Sequence, residues 1–287
     1  MRKFKKIARF IMELILAIAI IAFLLIHVIS KTILNEQYIL SSIEKADYYS
    51  KTYELLESNF ENYIQQSGLD EKILENIVTK EQIKEDTKKI IINMYDGIKE
   101  EVSIEAIKQN LEKNINEQID TDSLSTEQKQ AIDQFVKTLC DEYRATIANT
   151  NYESQINDGY KKISKYIKLA QKASIVMIGI SIIIIILLNL RRVYKIATNT
   201  GTALLASGII LTIINIYINS KIKIKYLSIL NEPTSIVLRN IANDVLGKIL
   251  VYGILLIISS VILLIISNFI HNIVKYKGIM ENKSEEN

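Results

Sequence analysis

The chain has 287 residues, 49% hydrophobic and 23% charged, with a net charge of +3 and a mean hydropathy of +0.17. That much apolar residue beside that much charge requires segregation along the chain, and +3 is too small for the dense basic face of a nucleic-acid binder. One Pro, nine Gly and no Trp leave few strand and turn breaks and point to helix, while the single Cys140 excludes an intramolecular disulfide and a cysteine-built zinc cluster.

Residues 1–9 form a basic start, with Arg2, Lys3, Lys5, Lys6 and Arg9. Residues 10–29 (FIMELILAIAIIAFLLIHVI) are long and apolar enough to span a bilayer. The run is too long for the apolar part of a signal peptide, and no A-x-A site follows it, so an uncleaved signal anchor is expected.

Residues 30–173 are polar and show helical periodicity. A first helix is expected over about 31–66, with a stripe of Ile39, Ile43, Ala46, Tyr49, Tyr53, Leu56, Phe60 and Tyr63. Gly68 suits a left-handed helix end and Asp70 the next N-cap. In "VTKEQI", Thr79 and Gln82 form a capping box, with Val78 and Ile83 as a hydrophobic staple, and the helix they open ends at Asp96 and Gly97. A third helix, about 103–119, carries Ile104, Ile107, Leu111, Ile115 and Ile119. After the loop 120–126, a fourth helix, about 126–148, carries Ile132, Phe135, Leu139, Tyr143 and Ile147. A fifth starts near Glu153, with Ile156, Tyr160, Ile163 and Ile167, and nothing breaks it before the next apolar run.

Further apolar runs lie at 174–190, 202–219 and 249–270. The loop 191–201 between the first two of these is about ten residues. Residues 220–248 begin with the alternating "KIKIKYLSIL". They continue as an amphipathic helix capped by Asn231 or Glu232, with the only proline near its first turn and Ile236, Ile241 (or Asn240) and Val245 on one side. That stripe is expected to dock against the base of the bundle rather than lie on the membrane. Span three carries the small-residue pairs Thr202 with Ala206 and Ala203 with Ser207, suited to close helix contact.

The fold class expected is therefore all-α: an integral membrane protein with four transmembrane helices and an extracytoplasmic helical bundle between spans 1 and 2. The basic flanks at 1–9, at Arg191, Arg192 and Lys195, and at Lys275 and Lys277 place both termini on the cytoplasmic side of a cell membrane. The cations of loop 220–248 oppose this, but two basic ends outweigh one basic loop.

Chemistry is sparse. His27 and His271 sit near span ends, too far apart for a pair. Cys140 has no histidine in the outer segment to activate it. "DTDSLSTE" places Asp120 and Asp122 as in a calcium loop, but Leu124 stands where an oxygen ligand belongs and the loop glycine is missing. No catalytic residue, cofactor or metal is expected. Ten of the fifteen tyrosines fall in the outer segment. Tyr49, Tyr53 and Tyr63 are a candidate partner-binding face; the other reading makes them core and rim residues. Spans without a central charge argue against an ion-coupled carrier.

The stretch "YIQQSGLDEKILENIVTKEQIKEDTKKIIINMYDG", residues 63–97, together with the span order, resembles uncharacterised four-span proteins of AT-rich Gram-positive bacteria. That resemblance implies no activity. One span, a large outer segment and three further spans is also similar in layout to permease subunits of the cell-division and macrolide-export ABC families. Those have mixed outer domains and longer inner loops. The function expected is a non-enzymatic membrane protein whose outer helical domain binds or senses a partner in the cell envelope. The alternative is a transport-system component, an ABC-type permease partner or an oligomeric pore. Expected partners are the lipid bilayer and an envelope protein, or a second copy through the spans, with no nucleic acid.

Overall fold

The structure, a computed structural model, describes residues 2–98, 100–148, 153–222 and 231–285, and among them all regular structure is helical. The helices are α1 (Arg2–Lys31), α2 (Glu36–Lys45), α3 (Tyr48–Ser67), α4 (Lys80–Asp96), α5 (Glu105–Gln118), α6 (Thr126–Ala148), α7 (Glu153–Asn189), α8 (Tyr194–Ile222) and α9 (Glu232–Glu285). Short 3-10 turns lie at Glu71–Leu74 and Thr121–Ser123. The chain divides into two compact units.

The first unit holds α1, α8 and most of α7 and α9. Four helices are long and apolar enough to cross a membrane: Lys5–Lys31, Lys162–Asn189, Tyr194–Lys221 and Glu232–Tyr276. Their outer faces are apolar. Ile265 and Phe269 of α9 are 64% and 66% exposed, and Leu187 of α7 is 60% exposed. Contiguous apolar surface of this extent needs an apolar surrounding, which supports a membrane location and a multi-pass chain.

Inside the unit, Leu16, Ala17 and Ile20 of α1 pack with Ile185 of α7 and Ala203 of α8, and Leu256 of α9 joins them. Small residues set the spacing. Ser207 is fully buried and its hydroxyl donates to Ala17 O of α1 at 3.1 Å. Ser260 donates to Gly201 O at 2.6 Å, and Asn215 donates to Leu246 O at 2.6 Å, tying α8 to α9. Gly208 and Gly253 let these two backbones meet. A Cβ on Gly208 would lie 2.7 Å from Gly253 O and 2.7 Å from Ile257 Cγ1.

The second unit takes in Asn35–Ser164 and Leu227–Ile241. Its core joins Leu56, Phe60 and Ile64 of α3 with Ile73, with Ile83 of α4, with Ile107, Leu111 and Ile115 of α5, and with Leu139, Tyr143 and Ile147 of α6. Burying a side chain of this size contributes about 1.5–3 kcal/mol at most. Local signals act as read from the sequence. Thr79 Oγ1 accepts from Gln82 N at 3.2 Å, with Val78 and Ile83 buried together. Gly68 and Gly97 end α3 and α4 at φ of 73° and 66°. Asp70 accepts from Lys72 N at 2.9 Å, capping a 3-10 turn rather than a full helix.

Four expectations are corrected. The helix expected over 31–66 is two, α2 and α3, broken where Asp47 takes a left-handed φ of 53°. Ile163, assigned to a buried stripe, is 52% exposed; the side chain of Ile156 lies outside the described residues. The 191–201 loop is shorter, because α8 already begins at Tyr194. The amphipathic helix after Asn231 does not end before the fourth apolar run: both are α9, which continues into the expected tail. Asn231 caps it, accepting from Thr234 N at 3.1 Å. Its first turns group with the second unit, and the alternating 223–230 stretch lies outside the described residues.

The Gly208 contact generates a paired test. Gly208→Ala forces α8 and α9 apart and should cost about 1–3 kcal/mol, read as a lower midpoint in thermal unfolding of the detergent-solubilised protein. Gly179→Ala, whose Cβ meets open space, should leave the midpoint unchanged or raise it slightly, by up to about 1 kcal/mol.

Candidate functional site

The residues singled out from the sequence sit on α3. Tyr49, Tyr53 and Tyr63 are all half-buried and pack against the core of the second unit. Tyr53 and Tyr49 are one turn apart, whereas Tyr63 lies ten residues beyond Tyr53, about 15 Å along a helix. Each faces a different neighbour. The Tyr49 ring meets Tyr48 edge-on at 6.0 Å. Lys80 at the start of α4 places its ammonium 5.5 Å from the Tyr53 ring centre, and the Tyr53 hydroxyl donates to Glu57 at 3.4 Å. The Tyr63 hydroxyl donates to Glu142 of α6 at 3.4 Å. Glu142 also accepts from Asn59 at 2.7 Å and from Thr146 at 3.4 Å. Tyr53 and Tyr63 therefore line the seams of α3 with α4 and with α6, Tyr49 packs beside Tyr48, and each of the three remains partly exposed.

Sequence reading missed a more deeply placed polar group. Tyr143 is fully buried and donates to Asp86 Oδ2 of α4 at 2.5 Å. Tyr48, 6% exposed, lies beside Thr52 of its own helix and Thr234 of α9. Thr52 and Thr87 are buried nearby on α3 and α4, and the Thr87 hydroxyl has no partner. Asp86 reads in the sequence as one more charge on a polar face and Tyr143 as one more stripe residue. No local signal joins them, because only the α4–α6 packing brings the two together.

Burial pushes the Tyr143 phenol well above its ordinary range, and the hydrogen bond to Asp86 adds to this. Burial also raises Tyr48 and Tyr49, the latter with help from Glu44. Tyr95 of α4 and Tyr160 of α7 meet edge-on at 4.6 Å, and burial raises the Tyr95 phenol strongly. These phenols stay neutral at physiological pH and act as hydrogen-bond donors. Cys140 is buried, and burial followed by Asp141 pushes its thiol up, away from the thiolate a nucleophile needs. Among the described residues no three His, Cys, Asp or Glu side chains gather as a metal site would require. The site is a surface of aromatic rings and amides backed by a buried phenol–carboxylate pair. Such a surface can hold another chain by apolar contact and hydrogen bonds.

The raised phenols fix the sign of an alkaline response. A tyrosine whose folded pKa exceeds its unfolded value, about 10, stabilises the fold fully below that pH. The contribution is lost as pH rises above it, because the unfolded chain releases the proton first. Helical signal in the intact protein should therefore fall as tyrosinate absorbance rises above about pH 10. Tyr143→Phe should flatten that alkaline loss while lowering stability at neutral pH by about 1–2 kcal/mol, since Asp86 loses its donor.

Comparison with family models, with curated proteins and with solved structures finds no match for the chain, so its function is read from the residues themselves.

Proposed function

We propose that the protein is a non-enzymatic multi-pass membrane protein whose second unit stands outside the cytoplasm and binds or senses a partner in the cell envelope. What supports the reading is that most of a helical unit, with all of its apolar core, lies in chain order between the first and second candidate spans. Charge supports the side assigned to it. Lys5, Lys6 and Arg9 open α1, Arg191 and Arg192 follow α7, and Lys275 lies late in α9. Basic ends of this kind stay on the cytoplasmic side, so the segment between spans one and two is translocated.

The side chains fit binding better than catalysis. The phenols are held neutral, the one thiol is buried, and the carboxylate of Glu142 is committed to Asn59, Tyr63 and Thr146. The partly exposed rings of Tyr49 and Tyr53 are the aromatic part of α3 offered to a partner. Tyr and its neighbours make good anchors there, because their rings are large and lose little entropy on binding. α7 and α9 are each shared between the two units, so a change in bundle packing has an unbroken backbone path into the spans.

Placement and partner are tested separately. In a Cys140→Ser background, Gln130→Cys should react with a membrane-impermeant thiol reagent in intact cells, and Arg191→Cys only after permeabilisation. The reverse pattern overturns the outward placement. A photo-reactive residue in place of Tyr53 should capture an envelope protein identifiable by mass spectrometry. Capture of a second copy of the chain instead moves the reading to an oligomeric assembly, and no adduct at all ends the case for this face.

A further inference from the structure

One end of the first unit gathers polar groups that helix packing does not use up. Lys6 and Arg9 come from α1, Arg192 from the α7–α8 turn, and Lys195 from the first turn of α8. Arg192, Arg9 and Lys6 all lie close enough to Lys195 to act on its charge. Tight turns hold this geometry. Arg192 N donates to Asn189 O at 2.7 Å, and Lys195 N donates to Arg192 O at 2.8 Å. Glu13, the carboxylate near Arg9, is engaged by the Thr202 hydroxyl at 3.3 Å. The first turn of α8 has no acidic residue to meet the positive end of its helix dipole.

Two donors here lack acceptors. Arg9 gives one guanidinium N–H to Leu188 O at 3.3 Å, but its buried Nε has no partner. Asn199, one turn beyond Lys195, is 7% exposed and its Nδ2 has no partner. It lies on α8 beside Thr202, whose hydroxyl is 2.9 Å from Asn199 O and 3.3 Å from Glu13. Against these stands one unmatched acceptor, Asn189 Oδ1, whose amide nitrogen is spent on Ile185 O at 2.8 Å. Among the described residues, four cations against one engaged carboxylate, with two donors against one acceptor, leave an excess of positive charge and of hydrogen-bond donors. A buried donor without a partner is costly, and clustered cations repel one another unless an anion lies between them.

We propose that this end of α1, α7 and α8 binds a phosphate group, carried either by the headgroup of an anionic lipid or by a soluble phosphate compound. Phosphate supplies what is missing. Its charge offsets the four cations, and its oxygens accept from a guanidinium in the fork geometry Arg prefers and from an amide. The cluster also lies where a span gives way to its polar flank, the depth of lipid phosphates.

The test uses the full chain in nanodiscs of equal phosphatidylglycerol and phosphatidylcholine, with retained lipid read by native mass spectrometry. The wild type should keep phosphatidylglycerol over phosphatidylcholine by about tenfold. Replacing Arg9→Gln, Arg192→Gln and Lys195→Gln together should abolish the preference. Removing as many charges elsewhere, by Lys165→Gln, Lys168→Gln and Lys172→Gln, should leave it intact. Retention against millimolar glycerol phosphate assigns the site to a headgroup, and displacement assigns it to a soluble phosphate. Equal retention of the two lipids by the wild type, with no glycerol phosphate bound to it in the same spectra, overturns the proposal, whether or not the triple variant folds. An equal loss in the control triple does the same, because any anion would then serve any cation on the surface.

Discussion

Helices surrounded by hydrocarbon gain almost nothing from hiding apolar surface, since lipid is as apolar as leucine. What holds the first unit together is therefore contact distance, and α8 sets it. Gly208 and Gly253 bring two backbones to a separation that no Cβ tolerates. At that separation Ser260 reaches Gly201 O and Asn215 reaches Leu246 O. On its other side Ser207 reaches Ala17 O of α1. Each of these hydrogen bonds needs a small residue to permit the approach. The apolar faces of α7 and α9 can then point outward, as their exposed Leu187, Ile265 and Phe269 do.

The second unit is held by the opposite logic. Its core is a conventional cluster of Ile, Leu and Phe removed from water, crossed by a few directional polar pairs. Tyr143 is the instructive residue. A Phe there would pack as well, yet the hydroxyl reaches Asp86 and fixes α6 against α4 in one register. Glu142 does the same at the rim, drawing Asn59 and Tyr63 of α3 toward α6. Leucine contacts alone tolerate sliding, and directional pairs do not.

Much of this was legible in the sequence because the signals are local. The four spans follow from uninterrupted apolar runs. The ends of α3 and α4 follow from Gly68 and Gly97, and the start of α4 from the Thr79 box. The failures have a physical pattern. The break at Asp47 carries neither Gly nor Pro, so a periodic stripe ran across it. The break shifts the phase, burying Tyr48 and Thr52 where Tyr49 and Tyr53 were expected. "ATNTG" reads as loop, yet Thr198 and Thr202 return their hydroxyls to Tyr194 O and Asn199 O within α8, so polar residues there do not end the helix. The charges at Arg239, Asp244 and Lys248 hid the continuity of α9, since Asp244 and Lys248 pair one turn apart at 2.7 Å on the helix surface.

The functional groups were least legible because they are made by tertiary packing. Arg9 and Asn199 lie 190 positions apart in number, and each has an innocent local reading: one is a basic flank residue, the other a loop asparagine. Placed at one end of α8 they become donors without acceptors beside a surplus of cations. The same holds for Tyr143 and Asp86, with the difference that those two satisfy each other. That difference separates structure from function in this chain. A polar group that finds its partner within the fold explains stability, and buried donors without partners, gathered beside a surplus of cations, point to an anion from outside the fold.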